Sequence, residues 1–177
     1  MKKLTFFILI IAAGITACST TKKKDDLSQK LDPNAPEYMA KNATTIYTED
    51  TKLKMKMEAK VQMRFTDGNE RYPEGIFITT FNQDGKEQST LVADSAIYFY
   101  KDHLYRAMGN VVLNDKNKGQ KLETNLLNFN NESGDIFTDD SVKITTEGAT
   151  TFGVGMKANQ NDPDDYEIQN ITGTISE

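Results

Sequence analysis

The strongest constraint on this chain is a pattern of apolar residues that occurs twice between Leu91 and Ile144, with the two copies 31 positions apart. Each copy reads as two strands joined by a turn. A repeat of this size indicates a supersecondary unit that cannot bury its apolar face alone and must stack on its neighbours. The members of the two copies are Leu91, Ala93, Ala96, Tyr98, Val111 and Leu113, and then Leu122, Thr124, Leu127, Phe129, Val142 and Ile144.

The spacing inside the repeat predicts an irregularity in the strands. Leu91 and Ala93 have the opposite parity to Ala96 and Tyr98, and the second copy shows the same switch. In a regular strand this switch would turn half of the apolar side chains to the other face. One extra residue, near 94–95 and again near 125–126, would return them all to one face and bend the strand. We therefore predict two β-bulges at equivalent positions of a curved sheet.

The rest of the chain also carries strand signals. Residues 44–48 are β-branched or aromatic, and residues 52–63 alternate between apolar and mostly charged side chains, which predicts a long antiparallel strand with one apolar face. Turn sequences separate strands of roughly 8–12 residues. We predict an all-β fold: a single domain of stacked antiparallel hairpins that form a partly open, twisted β-jelly roll. A looser third copy of the repeat is expected to place four residues on one face: Phe152, Val154, Met156 and Ala158.

The N-terminus has the features of a lipoprotein signal. Lys2 and Lys3 precede a short apolar run, and Ile15-Thr16-Ala17-Cys18 follows it. A run this short is typical of a secretory signal peptide, and its last residues resemble a bacterial lipobox whose cysteine is acylated. Several acyl chains together would hold the protein on its membrane. The alternative is an ordinary signal peptide followed by an incidental cysteine.

Three segments follow from this interpretation. We expect a removed signal peptide at 1–17, a lipid-anchored flexible tether at 18–42, and the β-jelly-roll domain at 43–177. The tether is predicted from its adjacent charges and two prolines, which give no apolar periodicity.

Sequence features of catalysis and of nucleic-acid binding are absent. The formal net charge is −5, without the basic footprint of a nucleic-acid binder. The chain has one histidine, His103, and one cysteine, Cys18, too few for a metal site or a nucleophilic triad of the usual composition. The run 161–165 lacks the ligand spacing of a calcium loop. We therefore expect no enzyme activity, no cofactor and no metal.

Taken in order, the short motifs of this chain resemble the LptC family. They include Tyr-Pro-Glu-Gly-Ile at 72–76, Ala-Asp-Ser-Ala-Ile-Tyr at 93–98 and Gly-Asn-Val-Val at 109–112. The other matching segments are 79–81, 84–86, 104–107, 121–124, 126, 136–139, 142–144 and 153–155. The resemblance covers roughly residues 50–175, and the chain departs from it in having a lipid anchor in place of a transmembrane helix, and a long charged first strand.

The resemblance implies a passive conduit for lipopolysaccharide. LptC-like proteins form a jelly-roll trough that takes acyl chains, receives lipopolysaccharide from an inner-membrane ABC transporter complex and passes it to a periplasmic bridge protein of the same fold. Edge-strand pairing would join the two jelly rolls, with Ile46, Ile171 and Ile175 as candidate edge residues. The candidate lining residues are Leu91, Ala93, Ala96, Tyr98, Val111, Leu113, Leu122, Leu127, Phe129, Val142 and Ile144, and the alternative for each is an ordinary sealed core.

Two further points stay open at this level. The alternative functions are a structural or protein- or glycan-binding envelope lipoprotein with a closed β-sandwich, and a carbohydrate-active enzyme. Ser19 after Cys18 favours the outer membrane under one sorting rule, whereas the resemblance implies the inner membrane. We expect a lipid anchor at Cys18 on the periplasmic side of the inner membrane, with the outer membrane as the alternative.

Overall fold

The computed structural model describes residues 35–160 and 162–176, which fold as β-strands with one single-turn 3-10 helix. The strands alternate with short turns throughout, as the sequence predicts. Their bounds are β1 Tyr38–Glu49, β2 Lys52–Arg64, β3 Glu70–Tyr72, β4 Ile76–Phe81, β5 Glu87–Ala93, β6 Ser95–Phe99, β7 Leu104–Asp115, β8 Gln120–Asn130, β9 Asp135–Thr146, β10 Ala149–Asn159 and β11 Asp162–Ser176, with the 3-10 helix at Tyr100–Asp102.

All eleven strands belong to one antiparallel sheet. β3 and β4 together act as one strand, and so do β5 and β6, because Ile76 pairs with Ala93 while Tyr72 pairs with Ala96. β7 accordingly pairs with both β5 and β6 on one side and with β8 on the other. The sheet ends at β1, which pairs with β2, and at β11, which pairs with β10. The predicted all-β fold of antiparallel hairpins is confirmed.

In neighbouring strands of this sheet the regular alternation of inward and outward side chains is interrupted at the same level. We call this row of interruptions the line of breaks. The spacing of inward residues alternates there: three positions separate Ala93 from Ala96, and four separate Ala107 from Val111 in the paired strand. The rows that flank the line are buried on both sides. In strand order they are Tyr72, Ala96, Ala107, Leu127, Thr138 and Met156 on one side, and Ile76, Ala93, Val111, Thr124, Val142 and Gly153 on the other.

The breaks near 94–95 and 125–126 are present, but the predicted extra residues lie in the partner strand β7 and not at those positions. Between the pairs Val92–Val112 and Ser95–Met108, β5 and β6 advance three positions while β7 advances four. Met108 pairs with Leu126 and Val111 with Thr124, so β7 advances three positions while β8 advances two. Gly109 and Asn110 provide this residue, with φ angles of +75° and +44°. Glycine and asparagine adopt this left-handed backbone more readily than other residues, so the chain places the bulge where they occur.

Two predicted alternations are wrong. In β10, Phe152 and Val154 do not share a face with Met156: Val154 is 38% exposed and Met156 is 4% exposed. The register shifts between Val154 and Met156, where Gly155 has a φ of +76°. Side chains after Gly155 therefore point to the opposite faces from those that a regular strand would give them. The alternation of apolar residues in the sequence does not reveal this change.

In β2 the predicted single apolar face also changes sides. Ala59 pairs with Ile76 on the inward face, whereas Arg64 pairs with Glu70 on that same face. The inward parity therefore switches between Ala59 and Arg64, and Met63 points to the opposite side.

The domain begins earlier than residue 43. β1 starts at Tyr38, which pairs with Arg64. Residues 38–42, placed in the tether by their sequence, continue the pairing of β1 with β2. All the described residues, including 38–42, belong to the same compact unit.

The core lies on the inward face along the line of breaks. Its residues form one buried apolar cluster, and half-buried side chains pack against it from both ends. The cluster contains Met57, Ala59, Tyr72, Ile76, Ala93, Ala96, Ala107, Val111, Leu122, Leu127, Val142, Ile144 and Met156, and the half-buried side chains are Ile78, Leu91, Leu113, Ile136 and Ile168.

Candidate functional site

The eleven candidate lining residues all lie on the inward face of the sheet, but most of them are fully buried. Leu91, Leu113, Tyr98 and Phe129 are half-buried. The other seven are fully buried members of the core cluster: Ala93, Ala96, Val111, Leu122, Leu127, Val142 and Ile144. The inward face thus has a filled centre along the line of breaks, with partly accessible apolar side chains at each end.

The first end is an aliphatic row that crosses neighbouring strands. Ile78 of β4 pairs with Leu91 of β5, and Leu91 pairs with Leu113 of β7. All three are half-buried and pack against the core. With Leu122 and Ile144 the row continues over β8 and β9. Five strands about 4.8 Å apart give an aliphatic row about 20 Å long.

The second end is an aromatic row on β6, β7 and β8. The rings of Tyr98 and Tyr105 stack with centroids 4.2 Å apart, and those of Tyr105 and Phe129 lie 6.4 Å apart. Both contacts join cross-strand pairs, the positions that place side chains together in an antiparallel sheet. Burial, together with Tyr98 and Glu70, raises the pKa of Tyr105 to about 12. Tyr105 is therefore neutral at physiological pH.

A carboxylate lies beside this aromatic row, and the sequence reasoning missed it. Glu70 is 9% exposed and points inward from β3. It accepts hydrogen bonds from Arg64 Nε at 2.8 Å, from Gln62 Nε2 at 3.1 Å and from the hydroxyl of Tyr72. Burial raises the pKa of Glu70, but the hydrogen bonds from Tyr72, Arg64 and Gln62 outweigh burial, and the pKa lies below its usual value. The carboxylate is therefore a fixed anion that holds β2 and β3 together at this end.

Tyr72 completes the network. It is 1% exposed, and burial together with the hydrogen bond to Glu70 raises its pKa far above the usual value for tyrosine. The available sequence signal was the pair Glu70 and Tyr72, two positions apart on one strand face ahead of a Pro-Glu-Gly turn. The partners Gln62 and Arg64 come from β2. A regular alternation along β2 would place both on the outward face, so the sequence does not predict their contact with Glu70.

The candidate edge residues lie on the two outermost strands. Ile46 on β1 is 61% exposed, and Ile171 and Ile175 on β11 are 64% and 59% exposed. Within the described chain, β1 pairs on one side only, with β2, and β11 pairs only with β10. Each edge strand therefore presents unpaired backbone groups beside an exposed isoleucine.

The remaining sequence predictions concern the N-terminus and the catalytic groups. Cys18, the lipobox, the signal peptide and most of the tether lie outside the described residues. Within residues 35–160 and 162–176, no group of three or more His, Cys, Asp or Glu side chains is arranged to hold a metal ion. The same part of the chain contains no helix long and apolar enough to cross a membrane. His103 is exposed in the turn after the 3-10 helix, at a left-handed φ of 52°.

Comparison with known families agrees with the fold. The family described as "Lipopolysaccharide-assembly, LptC-related" matches residues 6–168 of the 177 in the chain. No curated protein matches the sequence. The matched range contains β1 to β10 in full, with both flanks of the line of breaks and both ends of the inward face. This protein therefore belongs to the LptC family and takes part in lipopolysaccharide transport in the cell envelope.

Proposed function

We propose that this protein is a membrane-anchored periplasmic bridge module of lipopolysaccharide transport. It accepts lipopolysaccharide from an inner-membrane ABC transporter complex and passes it to a periplasmic jelly-roll partner. The observation that carries the proposal is the inward apolar face, whose centre is filled while its two ends keep half-buried aliphatic and aromatic side chains.

Acyl chains would lie along these accessible ends. Ile78, Leu91 and Leu113 form a continuous aliphatic surface on three paired strands, and each methylene buried there contributes about 0.8 kcal/mol. The fully buried residues, such as Val142 at 3% exposure, would support this surface from below. Binding at the centre would require the two flanks of the line of breaks to separate.

The exposed edge strands support the handover step. An extended partner strand adds to a free sheet edge by main-chain hydrogen bonds. β1 and β11 both offer such an edge, with Ile46 on one and Ile171 and Ile175 on the other. A partner of the same fold at each edge would continue the inward apolar face from one protein to the next.

The membrane anchor of the proposed bridge is the acylated Cys18, on the periplasmic side of the inner membrane. The lipobox Ile15-Thr16-Ala17-Cys18 supports acylation, and the role beside an ABC transporter supports the inner membrane. Fractionation of the two membranes tests the location. Recovery of the mature lipoprotein in the outer membrane alone would refute the inner-membrane handover.

Site-specific photocrosslinking in cells tests the conduit itself. A photoreactive residue at Leu113 or Phe129 should yield adducts with lipopolysaccharide, because both positions are inward and half-buried. Val154 is the matched control, since it lies outward on the same sheet with 38% exposure. Equal adducts from Val154, or only adducts within the protein from Leu113 and Phe129, would contradict the proposal and favour a closed binding domain.

A further inference from the structure

Two of the three arginines of this chain lie together on the outward face of the sheet. Arg71 of β3 pairs with Ile97 of β6, and Ile97 pairs with Arg106 of β7. Residues directly opposite each other in an antiparallel sheet share a face. Arg71 and Arg106 therefore flank Ile97, with their Cα atoms two strand spacings apart, about 10 Å. The third arginine, Arg64, is held by Glu70 on the other face.

Both outward arginines are oriented by aromatic rings. The guanidinium of Arg71 lies 4.7 Å from the ring centroid of Phe65, and that of Arg106 lies 5.2 Å from that of Phe99. Stacking of this kind fixes the plane of a guanidinium and leaves the N–H groups at its edge available. Arg106 uses Nε to donate to Asn128 at 2.9 Å, so its terminal nitrogens remain.

Neither guanidinium is neutralised by a carboxylate within the described chain. The ion pairs found there involve lysines and Arg64. The cross-strand neighbours of Arg71 are Met63 and Ile97, and none of these carries a charge. Two preoriented cations without a counterion stand out in a chain whose formal net charge is −5.

We propose that Arg71 and Arg106 bind the phosphate group of an anionic lipid headgroup on the outward face. Planar guanidinium groups match phosphate oxygens bidentately, and two side chains about 10 Å apart at Cα can converge on one phosphate above Ile97. Ile97 and Phe99 lie half-buried on this same face, and this apolar surface beside the arginines favours a lipid headgroup over a free phosphate ion. This site lies on the opposite face of the sheet from the apolar interior, and its test is independent of that interior.

Nuclear magnetic resonance gives a readout for each arginine separately. The Nε–H signals of the full chain can be assigned by substituting each arginine in turn, and Arg64 serves as an internal control. Dihexanoyl phosphatidylglycerol, added below its micelle concentration, should shift the signals of Arg71 and Arg106 in a saturable manner and leave Arg64 unchanged. Acyl chains that enter the interior would instead shift the aromatic signals of Tyr105 and Phe129.

Matched double variants complete the test. R71Q/R106Q should weaken binding at the outward face by about tenfold or more, because two charge-assisted contacts are lost. K52Q/K86Q removes the same charge from exposed positions elsewhere and should leave the affinity within about twofold. R71K/R106K keeps the charge but loses the planar fork, and should bind more weakly than the native chain.

Three results would overturn the proposal. The first is an equal loss of affinity in R71Q/R106Q and K52Q/K86Q, which would indicate a non-specific charge effect. The second is identical shifts with the zwitterionic dihexanoyl phosphatidylcholine, and the third is equal affinity for inorganic phosphate, which would indicate a free anion site. Unchanged thermal unfolding of the variants would show that their effects arise from binding.

Discussion

The substitution E70Q tests whether the inward carboxylate stabilises the fold. Four hydrogen bonds from three side chains converge on Glu70: two from Arg64, one from Gln62 and one from Tyr72. A glutamine offers one acceptor oxygen and places an N–H₂ group among these donors. Since Tyr72 is 1% exposed, a hydroxyl left without a partner there costs about 1–3 kcal/mol. Arg64 is 57% exposed, so its lost ion pair adds little.

We therefore expect E70Q to lower the free energy of unfolding by about 2 kcal/mol at pH 7. For a domain of this size the melting temperature should fall by about 4–8 °C. Urea unfolding followed by far-ultraviolet circular dichroism measures the free energy. The control is E74Q, because Glu74 is exposed on the same segment, and its change should stay within about 0.5 kcal/mol.

The direction of the Glu70 pKa shift determines how the destabilisation by E70Q depends on pH. The folded state lowers the pKa of Glu70, so the ionised carboxylate stabilises the fold above the unfolded pKa of about 4.3. This contribution is lost as the pH falls through the folded pKa. The difference between the native chain and E70Q should therefore be complete at pH 7 and shrink below about pH 4. A difference that is absent at pH 7, or constant down to pH 2, would refute the role assigned to the network.

Two further predictions concern packing. L127A should lower the free energy of unfolding, measured in urea, by about 3 kcal/mol, because Leu127 is 3% exposed beside the line of breaks. V154A, on the outward face, should lower it by less than about 1 kcal/mol. Similar losses in the two variants would contradict the assignment of faces. G153A should destabilise the pairing of β10 with β11 by about 1–3 kcal/mol, since an added Cβ would lie 2.3 Å from Cγ2 of Ile168. The control G173A has open space at its Cβ, and faster amide exchange of β11 in G173A than in G153A would contradict this reasoning.

The fold class and the level of the breaks could be predicted because the residues that form the repeat are the ones that face inward. The shift from Ala93 to Ala96 recurs between Thr124 and Leu127, and both are required for burial on one face. The location of the extra residue could not be predicted from parity alone. The three-residue step from Thr124 to Leu127 in β8 is compatible with an extra residue in β8 or in the strand paired with it. The positive φ angles of Gly109 and Asn110 show that the extra residue lies in β7.

The faces of β2 and β10 could not be predicted because the outward face also carries apolar side chains there. Met63 continues the alternation of β2 on the outward side, where it pairs with Met39 and Arg71. Val154 does the same in β10. An alternating pattern shows that a strand has an apolar face, but the partner strands decide at which residue that face turns outward. The Glu70 network was missed for the same reason, since its donors come from the part of β2 after the switch.

The alternation of three- and four-residue steps explains how one sheet can build a core without a second layer. A flat antiparallel sheet has one apolar face that must be covered by another element. Here, among the paired strands from β2 to β10, one strand of each pair carries one more residue than the other at this level. Bulges of this kind bend a sheet and increase its twist. Because the steps fall on one line from Tyr72 to Met156, the bends add along that line, and the rows on both sides enter the same buried cluster. The sheet therefore covers its own apolar face along the line of breaks, while its outermost strands, β1 and β11, stay unpaired on one side. A core that depends on the bend and not on closure leaves the backbone groups on one side of β1 and of β11 without a strand partner within the described residues.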